Sequence, residues 1–449
     1  MKQTASGERA PDARAISHAS GATSRLNPPV PQMAIFMGWR SPPGIGQDCY
    51  PDTLTDSGKA DCSRRMAERV TICVVSSGRA DYGLIRPILD ALRADPRTVG
   101  QLLLTGTHAD DRFGSEADGR LLADALVPMP LDGDDSGTAA RGAAAVLTGV
   151  VEALERLKPD AVLIVGDRYE ILAVAQAAML LRLPLIHLGG GDVTEGAIDE
   201  GIRHAVSKLA QVHLVTHAGA ARRLRQLGEE DWRIHTVGNP SLDSLAAAAA
   251  LPDAALEGLL GRPLGADNLL VCFHPVTLLP DGGRAEFRAL LAALGELPES
   301  THLWITRPNA DPGHDALNRH LDDWAAGRAN VSIHAALGPA YLPLMARCRA
   351  VVGNSSSGLT ETPSLGIPTV NVGVRQQGRL AGATVFHCAG DAGAIRAALA
   401  RAMAADLAGA INPYGDGKTV PRILSVLTSL PERDVLMHKR FIDIEVAGG

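Results

Sequence analysis

From residue 69 onward, short β-branched runs alternate with Ala- and Leu-rich amphipathic segments, and that alternation narrows the fold more than any other feature of the chain. Strands are predicted at 70–76, 101–105, 161–166, 185–188, 212–216 and 234–237. After a helical Ala/Leu stretch the pattern restarts, with strands at 269–274, 303–306, 331–334, 350–353, 369–372 and 385–387. Strands that are apolar without interruption and separated by helices belong to parallel sheets covered on both faces. Two such series predict an α/β chain of two doubly wound, Rossmann-like domains. The turn residues Gly238-Asn239-Pro240 separate them, which gives domains at 66–239 and 240–420 and a terminal segment at 421–449. A ligand in such a chain sits outside the carboxyl ends of the strands, here in the cleft between the domains.

Residues 1–65 stand apart, with Pro-rich pieces such as Asn27-Pro28-Pro29-Val30-Pro31 and no sustained period. They lack the apolar stretch of a secretory signal and are read as a disordered leader or a mis-assigned start, with Met66 preferred as the beginning. A net charge of −7 with no basic stripe argues against nucleic acid or an anionic membrane as the main partner. No run approaches the ~18 apolar residues of a membrane span. The six cysteines form no CxxC pair, suggest neither a zinc cluster nor a disulfide framework, and point to a reducing cytoplasm.

The chemistry-bearing residues cluster just after the predicted strands. Ser76-Ser77-Gly78-Arg79 leads into a helix whose free N–H groups suit an anion, and Arg79 adds a guanidinium fork. Asp167-Arg168-Tyr169-Glu170 follows the 161–166 strand, where Asp167 is either a functional carboxylate or a helix N-cap. Gly189-Gly190-Gly191 ends the next strand at a place where backbone can approach a ligand closely. Asp192, Glu195, Asp199 and Glu200 then put four carboxylates within nine positions. Asp199 and Arg203 share a helix face as i,i+4 neighbours, either as a surface ion pair or as part of an active site. In the second series His274 closes a strand, a position that is more often structural than catalytic. Gly353-Asn354-Ser355-Ser356-Ser357-Gly358 follows a strand and precedes a helix containing Glu361, which reads as a phosphate cradle with a carboxylate for ribose hydroxyls. Gly417-Lys418-Thr419 looks like half a P-loop but follows no strand, and Asp132-Gly133-Asp134 reads as a solvated acidic turn rather than a metal element. No GxGxxG occurs, so a nicotinamide cofactor is not suggested. The residues alone predict a cleft for a phosphorylated or nucleotide ligand, with carboxylates and a histidine nearby.

At these positions the chain resembles the UDP-N-acetylglucosamine 2-epimerases, most closely their hydrolysing branch from sialic-acid-type biosynthesis. The matching segments in the first series include Gly78-Arg79-Ala80-Asp81-Tyr82, Gly166-Asp167-Arg168-Tyr169-Glu170, Val193-Thr194-Glu195-Gly196-Ala197 and Ile202-Arg203-His204-Ala205. In the second they are His274-Pro275-Val276-Thr277, Pro308-Asn309-Ala310-Asp311-Pro312-Gly313, Gly353-Asn354-Ser355-Ser356-Ser357-Gly358, Arg375-Gln376-Gln377-Gly378-Arg379 and Asn412-Pro413-Tyr414-Gly415-Asp416-Gly417. The resemblance implies a GT-B-like fold whose C-terminal helix crosses back to the first domain, and a dimer by analogy. It implies metal-independent chemistry without a cofactor: loss of the C2 proton and of UDP from C1 gives a 2-acetamidoglucal by anti elimination. Water then adds and the free 2-epimer leaves, N-acetylmannosamine in the familiar case. By matching position Asp167, Asp192, Asp199 and Arg203 look like the catalytic constellation, and His274 resembles a histidine at the UDP phosphates. Arg79, Arg168, Ser355, Ser356 and Arg375 look like phosphate or uridine contacts, Asn309 like a further nucleotide contact and Glu361 like the ribose contact.

One departure matters. Many relatives carry His-Gly-Gly-Glu where this chain has Gly189-Gly190-Gly191-Asp192. The shorter Asp sets the carboxylate back by roughly 1.5 Å, and Gly189 leaves room beside the sugar, which points to a bulkier substrate such as a 2,4-diacetamido-6-deoxy sugar. The alternatives are a non-hydrolysing 2-epimerase that keeps UDP on the sugar, a GT-B glycosyltransferase, and a silent nucleotide-sugar-binding regulator.

Overall fold

The computed structural model describes residues 69–109, 122–130, 132–133 and 135–444, so the reading of residues 1–65 lies outside the described residues. Every predicted strand is present among them. The first sheet holds β1 (Val70–Ser76), β2 (Thr98–Leu104), β3 (Ala125–Leu126), β4 (Ala161–Val165), β5 (Leu185–Leu188), β6 (Val212–Val215) and β7 (Ile234–Thr236), in spatial order β3-β2-β1-β4-β5-β6-β7. The second holds β8 (Asp267–Cys272), β9 (Thr301–Thr306), β10 (Val331–His334), β11 (Ala350–Gly353), β12 (Thr369–Val372) and β13 (Val385–Cys388), in order β10-β9-β8-β11-β12-β13. All neighbouring strands pair in parallel. Strand β3, two residues long, was not predicted, because no period can be read from so short a run.

Alternate strand residues serve opposite faces of the sheet, which is why the strands are apolar throughout. Cys73, Val75, Val162 and Ile164 pack on Val146 and Val150 of helix α2 (Ser136–Leu157) and on Ile171 and Val174 of α3 (Tyr169–Leu180). Ile72, Val74, Ala161 and Leu163 face the other way, onto Ile85 and Leu89 of α1 (Arg79–Ala94). Ile423 and Leu427 of a late helix, Thr419–Leu427, complete that second layer with Leu436, so the end of the chain is built into the core of the first sheet. The second sheet repeats the plan: Leu269, Val271, Leu303 and Ile305 cover one face with Phe287 and Ile395, and Leu270, Cys272, Trp304 and Val351 cover the other with Leu256 and Met345.

Each sheet reverses its winding at one crevice, between β1 and β4 in the first and between β8 and β11 in the second. Those are the positions where doubly wound folds place ligands. At the second crevice a Cβ on Gly353 would collide with the carbonyl oxygen of Cys272, so only glycine lets β11 end there, at φ 138°. The Asn354 amide then bridges the two strand ends. Its Oδ1 accepts the His274 backbone N–H (2.7 Å) and its Nδ2 donates to the His274 carbonyl (2.9 Å). Among the described residues no helix is long and apolar enough to cross a membrane. Cys73, Cys272 and Cys348 are buried in the core, and burial raises their thiol pKa values.

Candidate active site

The carboxyl ends of the two sheets face each other and touch through charged side chains. Arg168 Nη1 donates to Asp311 Oδ1 (3.0 Å), Arg379 Nη2 lies 3.6 Å from Asp192 Oδ2, and Arg375 Nη2 lies 4.0 Å from Asp199 Oδ2. Two backbone N–H groups of the loop after β5 also cross, from Glu195 to the Gln377 carbonyl (3.1 Å) and from Ile198 to Thr277 Oγ1 (3.1 Å).

Arg203 is the hub on the first-sheet side. It lies in helix α4 (Asp199–Leu209) at 1% exposure and donates from Nη2 to Asp167 and to Thr194 Oγ1 (2.8 Å). Its Nη1 reaches Glu200 Oε2 and the Asp192 carbonyl, both at 3.0 Å. The helix-surface pair between Asp199 and Arg203, one of the two sequence readings, is therefore not formed. Arg203 turns inward to the β4 end, while Asp199, the first residue of α4, points at Arg375.

The three aspartates sit in different fields. Burial raises the Asp167 pKa, but Arg203, Arg379 and Arg375 outweigh it and hold the carboxyl below its ordinary range. Burial also raises Asp192, and here the His217 hydrogen bond and the Arg379 charge prevail, so it too is held low. Asp199 goes the other way. Burial first, then the charges of Asp167 and Asp311, push it up to about 7 against the pull of Arg375. Its side chain keeps 23% exposure, the wettest of the three with Asp167.

Of the three glycines before Asp192, two meet protein rather than open cleft. A Cβ on Gly190 would crowd Ser207 Oγ and His187 Nδ1, and one on Gly191 would collide with the Ala220 carbonyl. Only at Gly189 would a Cβ meet nothing within 4 Å.

On the second-sheet side, His274 Nδ1 accepts the backbone N–H of Asn309 (3.1 Å), so Nε2 carries the ring proton. Burial and the neighbouring Arg375 push its pKa down to about 3, so the ring offers a neutral N–H donor rather than a cation. Arg375 Nη1 donates to the Asn354 carbonyl (3.1 Å), and its buried Nε has no protein partner. Ser355 Oγ lies 3.2 Å from Ser357 Oγ, which in turn meets the Tyr341 hydroxyl. The predicted helix after these serines is two single turns, Ser357–Thr360 and Thr362–Leu365, because Pro363 cannot continue the first. Ser356 precedes the first turn, and Glu361 forms the joint between the two, buried and bonded to Thr360, with burial raising its pKa. Arg168 is not free for an anion: Nε donates to Glu170 Oε1 (2.6 Å) and Nη1 to Asp311, although its buried Nη2 has no protein partner. Arg79 opens α1 beside the β1 end, and its side chain lies outside the described residues.

The structure adds residues that the sequence reading did not single out. Asp311 and Arg379 lay inside two of the quoted segments, and their pairing across the cleft is visible only in three dimensions. His217 follows β6 at the same strand-end position as Asp167 follows β4, a signal that was available. Gly417-Lys418-Thr419 is no phosphate loop: Lys418 is exposed, and the Thr419 N–H is capped by Asp243 Oδ1 (2.8 Å). Among the described residues no group of three or more His, Cys, Asp or Glu is arranged to hold a metal ion.

Comparison with known proteins agrees with this geometry. A protein-family model described as UDP-N-acetylglucosamine 2-epimerase matches residues 90–428. A Campylobacter jejuni protein named GDP/UDP-N,N'-diacetylbacillosamine 2-epimerase (hydrolyzing) is 35% identical over 314 residues, covering 69% of this chain and 82% of its own. The Legionella pneumophila UDP-N,N'-diacetylbacillosamine 2-epimerase (hydrolyzing) is 30% identical over 373 residues, covering 82% of this chain and 98% of its own. In fold, the chain is similar to the crystal structure of UDP-GlcNAc 2-epimerase from Neisseria meningitidis bound to UDP-GlcNAc. The TM-score is 0.67 at 18% identity, over 80% of this chain and 99% of that one. Two facing Rossmann-like sheets of GT-B type, their charged cleft and a family match over most of the length lead to one conclusion: the chain belongs to the UDP-N-acetylglucosamine 2-epimerase family.

Proposed function

We propose that the protein is a hydrolysing 2-epimerase of a UDP-linked 2-acetamido sugar, and that its preferred substrate carries a second acetamido group, as in a UDP-2,4-diacetamido-6-deoxy sugar. The observation that carries the substrate choice is the seat of Asp192. Its short side chain is drawn back against His217 (2.8 Å) and Thr216, while the space beside Gly189 is open. The printed names of the two relatives above support the same choice.

The C2–H bond of such a sugar is not acidic, so the C1–O bond must break early, with oxocarbenium character, before a modest base can take the proton. Arg375 with its unpartnered Nε, the His274 Nε2–H and the Ser355 and Ser356 hydroxyls would receive the leaving diphosphate, with Asn309 beside them and Glu361 near the ribose. Epimerisation needs one group to remove the C2 proton and another to return one to the opposite face. Two carboxyls whose environments separate their pKa values suit those roles. Asp192, held ionised, acts as the base. Asp199, half protonated near neutrality, acts as the acid. Asp167, neutralised by Arg203, hydrogen-bonds the sugar.

The test is UDP release from UDP-2,4-diacetamido-6-deoxy sugar and from UDP-N-acetylglucosamine under identical conditions. A preference in kcat/KM of about tenfold or more for the diacetamido sugar is expected from one extra fitted group. Equal turnover of both would refute the substrate choice.

A further inference from the structure

Asp192 reaches its position through a residue that no role has yet absorbed. His217 is the last residue before helix α5 (Ala218–Gln226), at φ −153° and ψ 164°. Its Nδ1 accepts the backbone N–H of Ala220 (3.2 Å), which makes the imidazole the helix N-cap, a place usually held by Ser, Thr, Asp or Asn. That bond fixes the tautomer, so Nε2 carries the proton and donates it to Asp192 Oδ1 at 2.8 Å. The ring is 8% exposed, and Tyr414 stands edge-on to it, with centroids 5.5 Å apart. The neighbourhood is shaped for this ring. A Cβ on Gly219 would come within 2.9 Å of the imidazole, and Gly191 brings the Asp192 backbone against Ala220 on the same helix turn.

We infer that His217 is a positioning residue for the epimerase reaction, clamping Oδ1 of Asp192 from a helix N-terminus and leaving Oδ2, which Thr216 Oγ1 (3.4 Å) and Arg379 Nη2 (3.6 Å) approach, to act on the substrate. Both ring nitrogens are engaged, so His217 exchanges no proton with the sugar. The clamp also explains how a carboxylate one methylene shorter than Glu is held in a defined place. Loss of a well-aligned group by ~1 Å lowers a rate about 100-fold. The other groups that face Asp192 are Thr216 Oγ1, the Arg379 guanidinium and Arg203, which binds its carbonyl, with Tyr414 behind His217.

This inference rests on Asp192 acting in the reaction proposed above, and two isosteric variants separate the jobs of the ring. His217→Asn keeps an acceptor for the Ala220 N–H and loses the donor to Asp192. His217→Gln keeps a donor at the reach of Nε2 and loses the cap. For His217→Asn the expected result is a melting temperature close to the parent, with kcat for UDP release lowered about 10- to 100-fold. Its acid limb of kcat/KM moves to higher pH, because the ionised form of Asp192 has lost a donor. For His217→Gln the melting temperature falls while kcat stays within about threefold. A His217→Asn enzyme with parental kcat and an unmoved acid limb would overturn the inference, as would equal loss of activity in both variants with no change in the limb. If the parent releases UDP from neither sugar nucleotide, the proposed reaction fails and the clamp is read directly. Long-range proton–nitrogen spectra of the His217 ring should show the Nε2–H tautomer in the parent, and an Nδ1–H tautomer there would refute the clamp.

Discussion

Helix α4 joins two charge networks that are built from the same residue types and behave in opposite ways. Its first residue, Asp199, and its buried Arg203 belong to the cleft. Its last turn carries Lys208, which together with His213 of β6 and Lys439 meets Glu229, at 2.6, 2.8 and 2.6 Å. Beside them the fully buried Arg233 donates to the carbonyls of Gln211, Val435, Leu436 and His438 and to Glu230. This second network clasps the returning end of the chain to the first sheet. In the clasp the carboxylate is surrounded by donors: against the cost of burial, they pull Glu229 down to about 2. In the cleft, charges are left over: Arg375 Nε, Arg168 Nη2, Arg379 Nε and Glu170 Oε2 are buried without protein partners, and Asp199 is pushed up to about 7. Buried polar groups in folded proteins are paired with few exceptions, and a functional role is one of the explanations an exception calls for. The clasp leaves one such atom, His213 Nδ1, whereas every oxygen of its carboxylate is met by a donor; the cleft leaves guanidinium nitrogens and a carboxylate oxygen unmet.

The contrast breaks most sharply at Asp199. Asp199→Asn is expected to lower kcat for UDP release about 100- to 10,000-fold, the usual worth of a general acid or base, without lowering the melting temperature. Its loss relieves repulsion from Asp167 and Asp311, so a large destabilisation would contradict the comparison. At the other end of the helix, Glu229→Gln takes the counter-charge from the largely buried Lys439, which keeps only backbone carbonyls, and is expected to cost about 3 kcal/mol in chemical denaturation, with kcat per folded molecule within about twofold of the parent. A stable but inactive Glu229→Gln would erase the distinction.

The smallest effect is in the pH dependence of stability. The folded pKa of Glu229 is depressed, so its contribution is complete above the ordinary glutamate range and is lost as the pH falls toward about 2. The folded pKa of Asp199 is raised, so its ionisation penalty is absent at acid pH, grows through the region between its ordinary value and about 7, and is complete above 7. Unfolding midpoints of Asp199→Asn and parent should therefore coincide near pH 4 and diverge toward pH 8, with the variant the more stable. Divergence at the acid end instead would reverse the assignment.

The sequence was most legible where one local signal suffices. Uninterrupted apolar strands gave both sheets and their parallel sense, and strand-end loops gave Asp167, Asp192, Asp199, His274 and the serines of 355–357 as a common cleft. What it could not give was partnership. Arg203 looked like the i,i+4 mate of Asp199, yet reaches Asp167, 36 positions away, because helix α4 packs that face inward. Two of the three glycines after β5 looked like room for a ligand and are room for Ser207, His187 and Ala220. Pairing across the cleft, as between Arg168 and Asp311, 143 positions apart, depends on two sheets meeting and leaves no periodic trace.

The central claim, that the waiting charges serve elimination of UDP followed by hydration, is tested most directly by proton NMR of the full-length protein with its UDP-2-acetamido sugar in deuterated water. Free UDP together with the free 2-epimer carrying deuterium at C2 is the predicted result. A C2-deuterated epimer still attached to UDP, with no free nucleotide, would contradict hydrolysis, and nucleotide release without deuterium at C2 would contradict the elimination itself.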